Sequence, residues 1–139
     1  MLRPAIALFE RIPQDLIALI ARIAGGTVFL RSGLLKLDGW ADGTTLALFR
    51  EEYRLPFLPP EIAALAATSA ELLLPPLLIA GLLTRFAALA LLGMTLVIQL
   101  FVYPNAFDTH GVWAVCLLFL MKYGAGGVSL DHIAAKLAR

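Results

Sequence analysis

The chain has 139 residues, 60% of them hydrophobic and 15% charged, with a formal net charge of +1. Soluble domains sit near ~45–50% apolar and ~25% charged, so this balance, with a mean hydropathy of +0.86, calls for an apolar solvent and excludes an ordinary soluble domain. The scattered basic residues give no nucleic-acid footprint, and the single Cys116 excludes an intramolecular disulfide, a multi-cysteine metal site and a CxxC redox motif.

The opening MLRPAIALFERIP has charges on both sides of a short apolar run and no small-residue cleavage site, so no cleavable signal peptide is expected. It reads as an amphipathic lead ending at Pro13, with Asp15 as N-cap of the first spanning helix. That helix, about 16–37, is long and apolar enough to cross a bilayer, yet carries Arg22, Arg31 and Lys36. Arg22, Phe29 and Lys36 recur every seven residues and so share one face with Gly26 and Gly33. Intramembrane cations cost at least ~2.5 kcal/mol on the lenient insertion scales, so each needs a partner or a purpose.

After Asp38 the chain turns polar, and Leu46, Phe49 and Tyr53 recur at helical spacing opposite Arg50 and Glu51. The pattern predicts a short helix lying in the membrane interface, broken by the Pro56–Pro60 region. A second span, about 61–83, is interrupted by Pro75 and Pro76, with Glu71 one turn before them. Thr84-Arg85 is read as a tight cytosolic turn. The third span, about 86–104, carries Gln99 as its one strongly polar side chain, and the fourth, about 110–123, is short for a span. Gly124, Gly126 and Gly127 end it, before an amphipathic tail helix.

The fold class is therefore an all-α, polytopic membrane protein: a single domain over 1–139, a four-helix bundle with an interfacial helix between spans one and two. Arg3, Arg11, Arg85, Lys122, Lys136 and Arg139 fall on one side of this topology. The opposite loops hold Lys36, Arg50 and Arg54 diluted by nearby acids, so both termini are expected in the cytoplasm.

At ~1.5 Å per residue, Glu71 lies roughly 15 Å from the outer end of its helix, near mid-membrane, with Gln99 at similar depth. Arg22 or Arg31 is its expected counter-ion; they lie on nearly opposite faces, and Arg22 is preferred because it shares a face with the glycines, where a helix approaches closely. Such a pair serves equally well as a register lock. Gln99 reads first as an interhelical hydrogen-bond partner, Arg31 as a snorkelling cation and Lys36 as an interfacial anchor. Tyr103, Phe107 and Trp113 fit an aromatic belt, His110 is the one histidine near a span, and His132 is expected in water. Met94, Met121 and Cys116 lack recurring spacing, so they read as core and no metal site is expected.

Taken together, Arg22 with Gly25, Phe29, Gly33, Lys36 and Leu37, then Glu71, the Gly81-Leu82-Leu83-Thr84-Arg85 turn, and Tyr103-Pro104 with His110 and Trp113 resemble the DoxX family of membrane proteins. The resemblance implies a four-helix protein of the bacterial inner membrane and draws Arg85 into the candidate site beside Arg22, Phe29, Lys36, Glu71, Gln99, Tyr103, His110 and Trp113. Some members of that family are membrane subunits of thiosulfate:quinone oxidoreductases, and others are partners in membrane thiol and oxidative-stress complexes. The FVYPNAFDTHGVWA region is similar to members encoded beside enzymes that make copper-binding modified peptides, which implies a role near metal stress.

Two functions fit. One is a quinone-linked redox or stress accessory subunit, with Glu71 trading protons, Arg22 as its electrostatic partner and Gln99, Tyr103 or His110 bonding a ring oxygen. No flavin, haem or iron–sulfur motif is present, so catalysis by the chain itself is left open and electrons would arrive through a protein partner. The other is a non-enzymatic anchor, assembly factor or small carrier of a peptide, lipid or metal-loaded species. The face from Gly25 and Gly26 to Gly33 serves either self-association or packing within the bundle.

Overall fold

The computed structural model describes the backbone of residues 2–138 and the side chains of 6–138. Arg3 and Arg139, two of the cations behind the orientation argument, have side chains outside that range. The described residues form α1 (Leu2–Phe9), α2 (Gln14–Asp38), α3 (Thr44–Glu51), α4 (Pro60–Ala80), α5 (Thr84–Val97) continued by a π-helical turn (Ile98–Val102), α6 (Phe107–Tyr123) and α7 (Leu130–Leu137). All of these elements are helical, as the span-length apolar runs and helical spacings predict. Among the described residues, three runs are long and apolar enough to cross a membrane: Gln14–Asp38, Pro60–Ala80 and Thr84–Val102. At 17 residues, α6 runs roughly 26 Å, less than the ~30 Å hydrocarbon core of a typical bilayer.

Large apolar side chains such as Leu35, Leu73, Phe86, Leu100 and Val115 point away from the bundle and are well over half exposed. A surface of this kind, around a core of Phe29, Leu78, Leu91, Leu117 and Leu120, is suited to lipid contact.

The α2–α4 contact sets the register. Residue 75 is proline and has no N–H to give the Glu71 carbonyl, yet α4 runs unbroken through both prolines. Gly33 of α2 lies against this freed carbonyl: a Cβ there would come within 2.9 Å of the Glu71 oxygen and 2.8 Å of its backbone carbon. Gly26 packs on Ile79 and Pro75 in the same antiparallel contact. The glycine face is thus used for packing inside the bundle, the second of its two expected roles.

Chain ends and turns follow local chemistry. The N-cap of α2 is Pro13, not Asp15, which lies in the first turn of the helix beside Gly126 and Gly127. Gly81, at φ +71°, ends α4 in the left-handed conformation that glycine tolerates best. The Thr84-Arg85 pair opens α5 and is not itself the turn. Tyr103 is pushed out of helical geometry by Pro104 behind it, and its N–H bonds five residues back to the Ile98 carbonyl at 2.8 Å, which closes the π turn. The expected helix after α2 is present as α3: the Asp42 side chain accepts from the Thr44 N–H, and Phe49 is buried against Ala63 and Ala64.

Candidate functional site

The end of the bundle beneath α3 holds a cavity of about 350 Å³. Phe29, Ser32 and Lys36 reach it from α2, Phe49 from α3, Glu71 and a run of alanines from α4, and His110 and Trp113 from α6. Tyr53 and Tyr103 complete its rim. Six of the nine residues singled out in the sequence, Phe29, Lys36, Glu71, Tyr103, His110 and Trp113, therefore share one space.

Its polar groups are few and concentrated. Lys36 Nζ donates to Glu71 Oε2 at 2.8 Å and to Ser32 Oγ at 2.7 Å, and Ser32 donates on to Glu71 Oε1 at 3.2 Å. The ion-paired side chains are 9% and 3% exposed, so the charges lie inside the bundle. This corrects the expected pairing: the counter-ion of Glu71 is Lys36, neither Arg22 nor Arg31. With Gly33 level with Glu71, Lys36 is under one turn away, whereas Arg22 is eleven residues from that level, roughly 16 Å along the helix. Ser32 was missed in the sequence; its signal was the i, i+4 spacing to Lys36, which puts both on one face.

The second polar group is on α6. His110, 5% exposed, has Nδ1 2.7 Å from Gln99 Oε1, while Gln99 Nε2 donates to the Pro104 carbonyl at 2.7 Å. Gln99 therefore acts behind His110 and does not line the cavity. Trp113 packs edge-on against Phe29, with ring centroids 5.3 Å apart, and tilted against His110 at 5.0 Å. Tyr103 donates its hydroxyl to Glu52 and sets its ring edge-on to Tyr53, so its ring, not its oxygen, serves the cavity. Trp40, on the loop before α3, donates to Thr68 at 3.3 Å.

Arg22 and Arg85 belong to the other end. Arg22, 1% exposed, donates from Nη1 to the Ile79 carbonyl at 3.0 Å and from Nη2 to the Val128 carbonyl at 2.5 Å. A cation on the last turn of α4 is favourably placed against that helix's dipole, and here it also ties the C-terminal segment to the bundle. Asp131 completes the tie, accepting from the Leu83 N–H at 2.8 Å and the Thr84 N–H at 3.0 Å. Partial burial works to raise the Asp131 carboxyl, but the Thr84 and Leu83 donors outweigh it, with help from the Arg22 charge, and hold it below the usual carboxylate range. Arg85 is exposed in an open recess with Tyr123, Gly124, Asp131 and His132. Arg31 faces outward beside Ile20, Ile23, Ala24, Thr27 and Val28.

Among the described residues, no group of three or more His, Cys, Asp or Glu side chains is placed to hold a metal ion.

Comparison of the sequence with known proteins identifies a family. A sequence profile named DoxX matches residues 17–104, which takes in Arg22, Phe29, Lys36, Glu71, Gln99 and Tyr103 but stops short of α6. An uncharacterized protein of Haemophilus influenzae is 33% identical, over 86% of this chain and 83% of the relative. No solved structure matches. The profile spans more than half of the chain, from the start of α2 through the π turn, and the chain belongs to the DoxX family of membrane proteins.

Proposed function

We propose that the cavity beneath α3 binds the head group of a quinone, and that the protein is a quinone-linked accessory subunit in oxidative or metal stress whose electrons come through a partner protein. One observation carries this reading. The cavity is walled mostly by apolar and aromatic side chains, and beyond the polar tips of Tyr53, Tyr103 and Trp113 its hydrogen-bonding groups are the Lys36–Glu71–Ser32 cluster and His110. Ligand sites for small rings have this makeup, with volumes from ~300 Å³ upward. Glu71, hydrogen-bonded but facing an apolar space, is a group able to hold or pass a proton there.

In this reading all four long helices cross the bacterial inner membrane with both termini in the cytoplasm, which places the cavity in the outer leaflet. The distribution of Arg11, Arg85, Lys122 and Lys136 against Arg50 and Arg54 supports that orientation. Alkaline phosphatase fused after residue 139 is expected to be inactive, and active when inserted between α2 and α3.

Mass spectrometry of organic extracts from protein purified in mild detergent tests the ligand. Stoichiometric quinone in the wild type, lost in Glu71→Gln and retained in Arg22→Met, is the expected result. Its absence from wild type and variants would overturn the reading. A register lock in a non-enzymatic anchor or carrier then stands as the second reading, favoured by the close Gly33–Glu71 approach beside the ion pair.

A further inference from the structure

The hydrogen-bond chain Pro104–Gln99–His110 fixes which proton His110 carries. The Pro104 carbonyl can only accept, so the atom of Gln99 that meets it at 2.7 Å is the amide nitrogen. The amide oxygen is left facing His110 Nδ1 at 2.7 Å, and a carbonyl oxygen likewise only accepts, so Nδ1 carries the hydrogen. In the neutral imidazole the bare lone pair is then on Nε2. His110 lines the cavity, and no protein hydrogen bond is made by Nε2. At His110 the α6 wall therefore offers an acceptor.

The α2 wall offers the opposite. Of the three Lys36 N–H groups, one goes to Ser32 and one to Glu71, which leaves one donor for a ligand. Ser32 has no donor left, since its one hydrogen goes to Glu71 while it accepts from Lys36. A ring bridging both walls thus meets a donor on one side and an acceptor on the other.

We infer that the cavity selects the hydroxylated, reduced ring, a quinol, over the oxidised quinone, and that Gln99 is the positioning residue that sets this preference by holding His110 as an acceptor. The inference rests on the reading of the cavity as a quinone head-group site. A quinone has two carbonyl oxygens and no donor, so bridging the walls would put one of them against the His110 lone pair. A quinol hydroxyl accepts from Lys36 at one end and donates to His110 at the other. Leaving one buried acceptor unpaired weakens binding by roughly tenfold or more.

The test titrates purified protein in detergent with a short-tailed benzoquinone and, anaerobically, with its quinol, by calorimetry. Quinol binding about tenfold or more tighter is expected, with the ratio falling towards one in Gln99→Met, where the imidazole is free to present an Nε2–H to a carbonyl. The ratio is taken within each variant, so altered folding does not mimic it. Imidazole ¹⁵N spectra of the ligand-free protein, with His132→Asn to leave one histidine signal, give a second readout: hydrogen on Nδ1 and a bare Nε2. Equal or tighter binding of the quinone, or hydrogen on Nε2, overturns the inference while the cavity reading stands. Binding of neither form overturns the cavity reading, and the inference with it.

Discussion

Breaking the Lys36–Glu71 pair has a cost that can be bounded on both sides. The two side chains are 2.8 Å apart and under a tenth exposed, so neither charge can move to water without opening the α2–α4 contact. Removing one member of such a pair usually destabilises by about 3–5 kcal/mol. An orphaned group can instead be neutralised by proton transfer, which caps the penalty. From ordinary values, protonating a carboxylate at pH 7 costs about 3.7 kcal/mol, and deprotonating a lysine about 4.6 kcal/mol. Lys36→Met should therefore destabilise by up to about 3.7 kcal/mol and Glu71→Gln by up to about 4.6 kcal/mol. The double variant Lys36→Met/Glu71→Leu, which leaves no charge behind, should recover most of either loss. At pH 5 the proton cost for the orphaned carboxylate is only about 1 kcal/mol. The Lys36→Met defect, measured against wild type, should shrink accordingly, by up to about 2.7 kcal/mol. Reversible unfolding in mixed detergent micelles, followed by helical circular dichroism at the two pH values, reads all of these quantities. Single losses that simply add in the double variant, or a Lys36→Met defect that ignores pH, would refute the claim that the two charges are buried and coupled.

Other consequences follow from the same geometry. Gly33→Ala puts a Cβ within 2.9 Å of the Glu71 backbone, where no flexible side chain can yield, and should cost about 1–3 kcal/mol by the same assay. Arg22→Met should leave ligand binding in the cavity unchanged and release the C-terminal segment, read as faster amide exchange around Val128–Asp131. Asp131→Ala removes the acceptor for the first N–H groups of α5 and should cost about 1 kcal/mol. Because the folded carboxyl is held below its ordinary value near 3.9, that contribution is fully present above about pH 5 and is lost as the pH falls through the depressed value, below about pH 4.

Much of this arrangement was legible in the sequence because periodicity and punctuation carry it. The seven-residue spacing of Arg22, Phe29 and Lys36 marked the buried face of α2, and all three are buried on it. The spacing of Leu46, Phe49 and Tyr53 marked α3, whose Phe49 docks on α4. The counter-ion of Glu71 was misassigned because the facing ends of α2 and α4 were taken as level, whereas Glu71, eleven residues into α4, lies level with Gly33, five residues from the end of α2. The sharper signal was the pair Gly33 and Pro75: one residue with no side chain, and another that leaves the carbonyl four residues back without its donor. Had those two been set side by side, the register placing Lys36 next to Glu71 would have followed. The role of Gln99 needed tertiary structure, because its partners are brought to it by the π turn and by α6.

The three cations of α2 end in three different environments, and this separates architecture from site. Arg22 spends two of its nitrogens on backbone carbonyls of α4 and the C-terminal segment, so its charge is turned on groups that helix ends leave open. Arg31 faces outward among Ile20, Ile23 and Thr27, on the side where its long stem can reach towards head groups. Lys36 is the one of the three in a direct ion pair with a carboxylate, and it lies at a cavity wall. A pair needed only to lock register gains nothing from standing beside an aromatic-walled space, and α2 and α4 already find their register through Gly33 and the Glu71 carbonyl. On the proposed reading the ion pair serves a ligand in the cavity, while register is left to Gly33 and the Glu71 carbonyl.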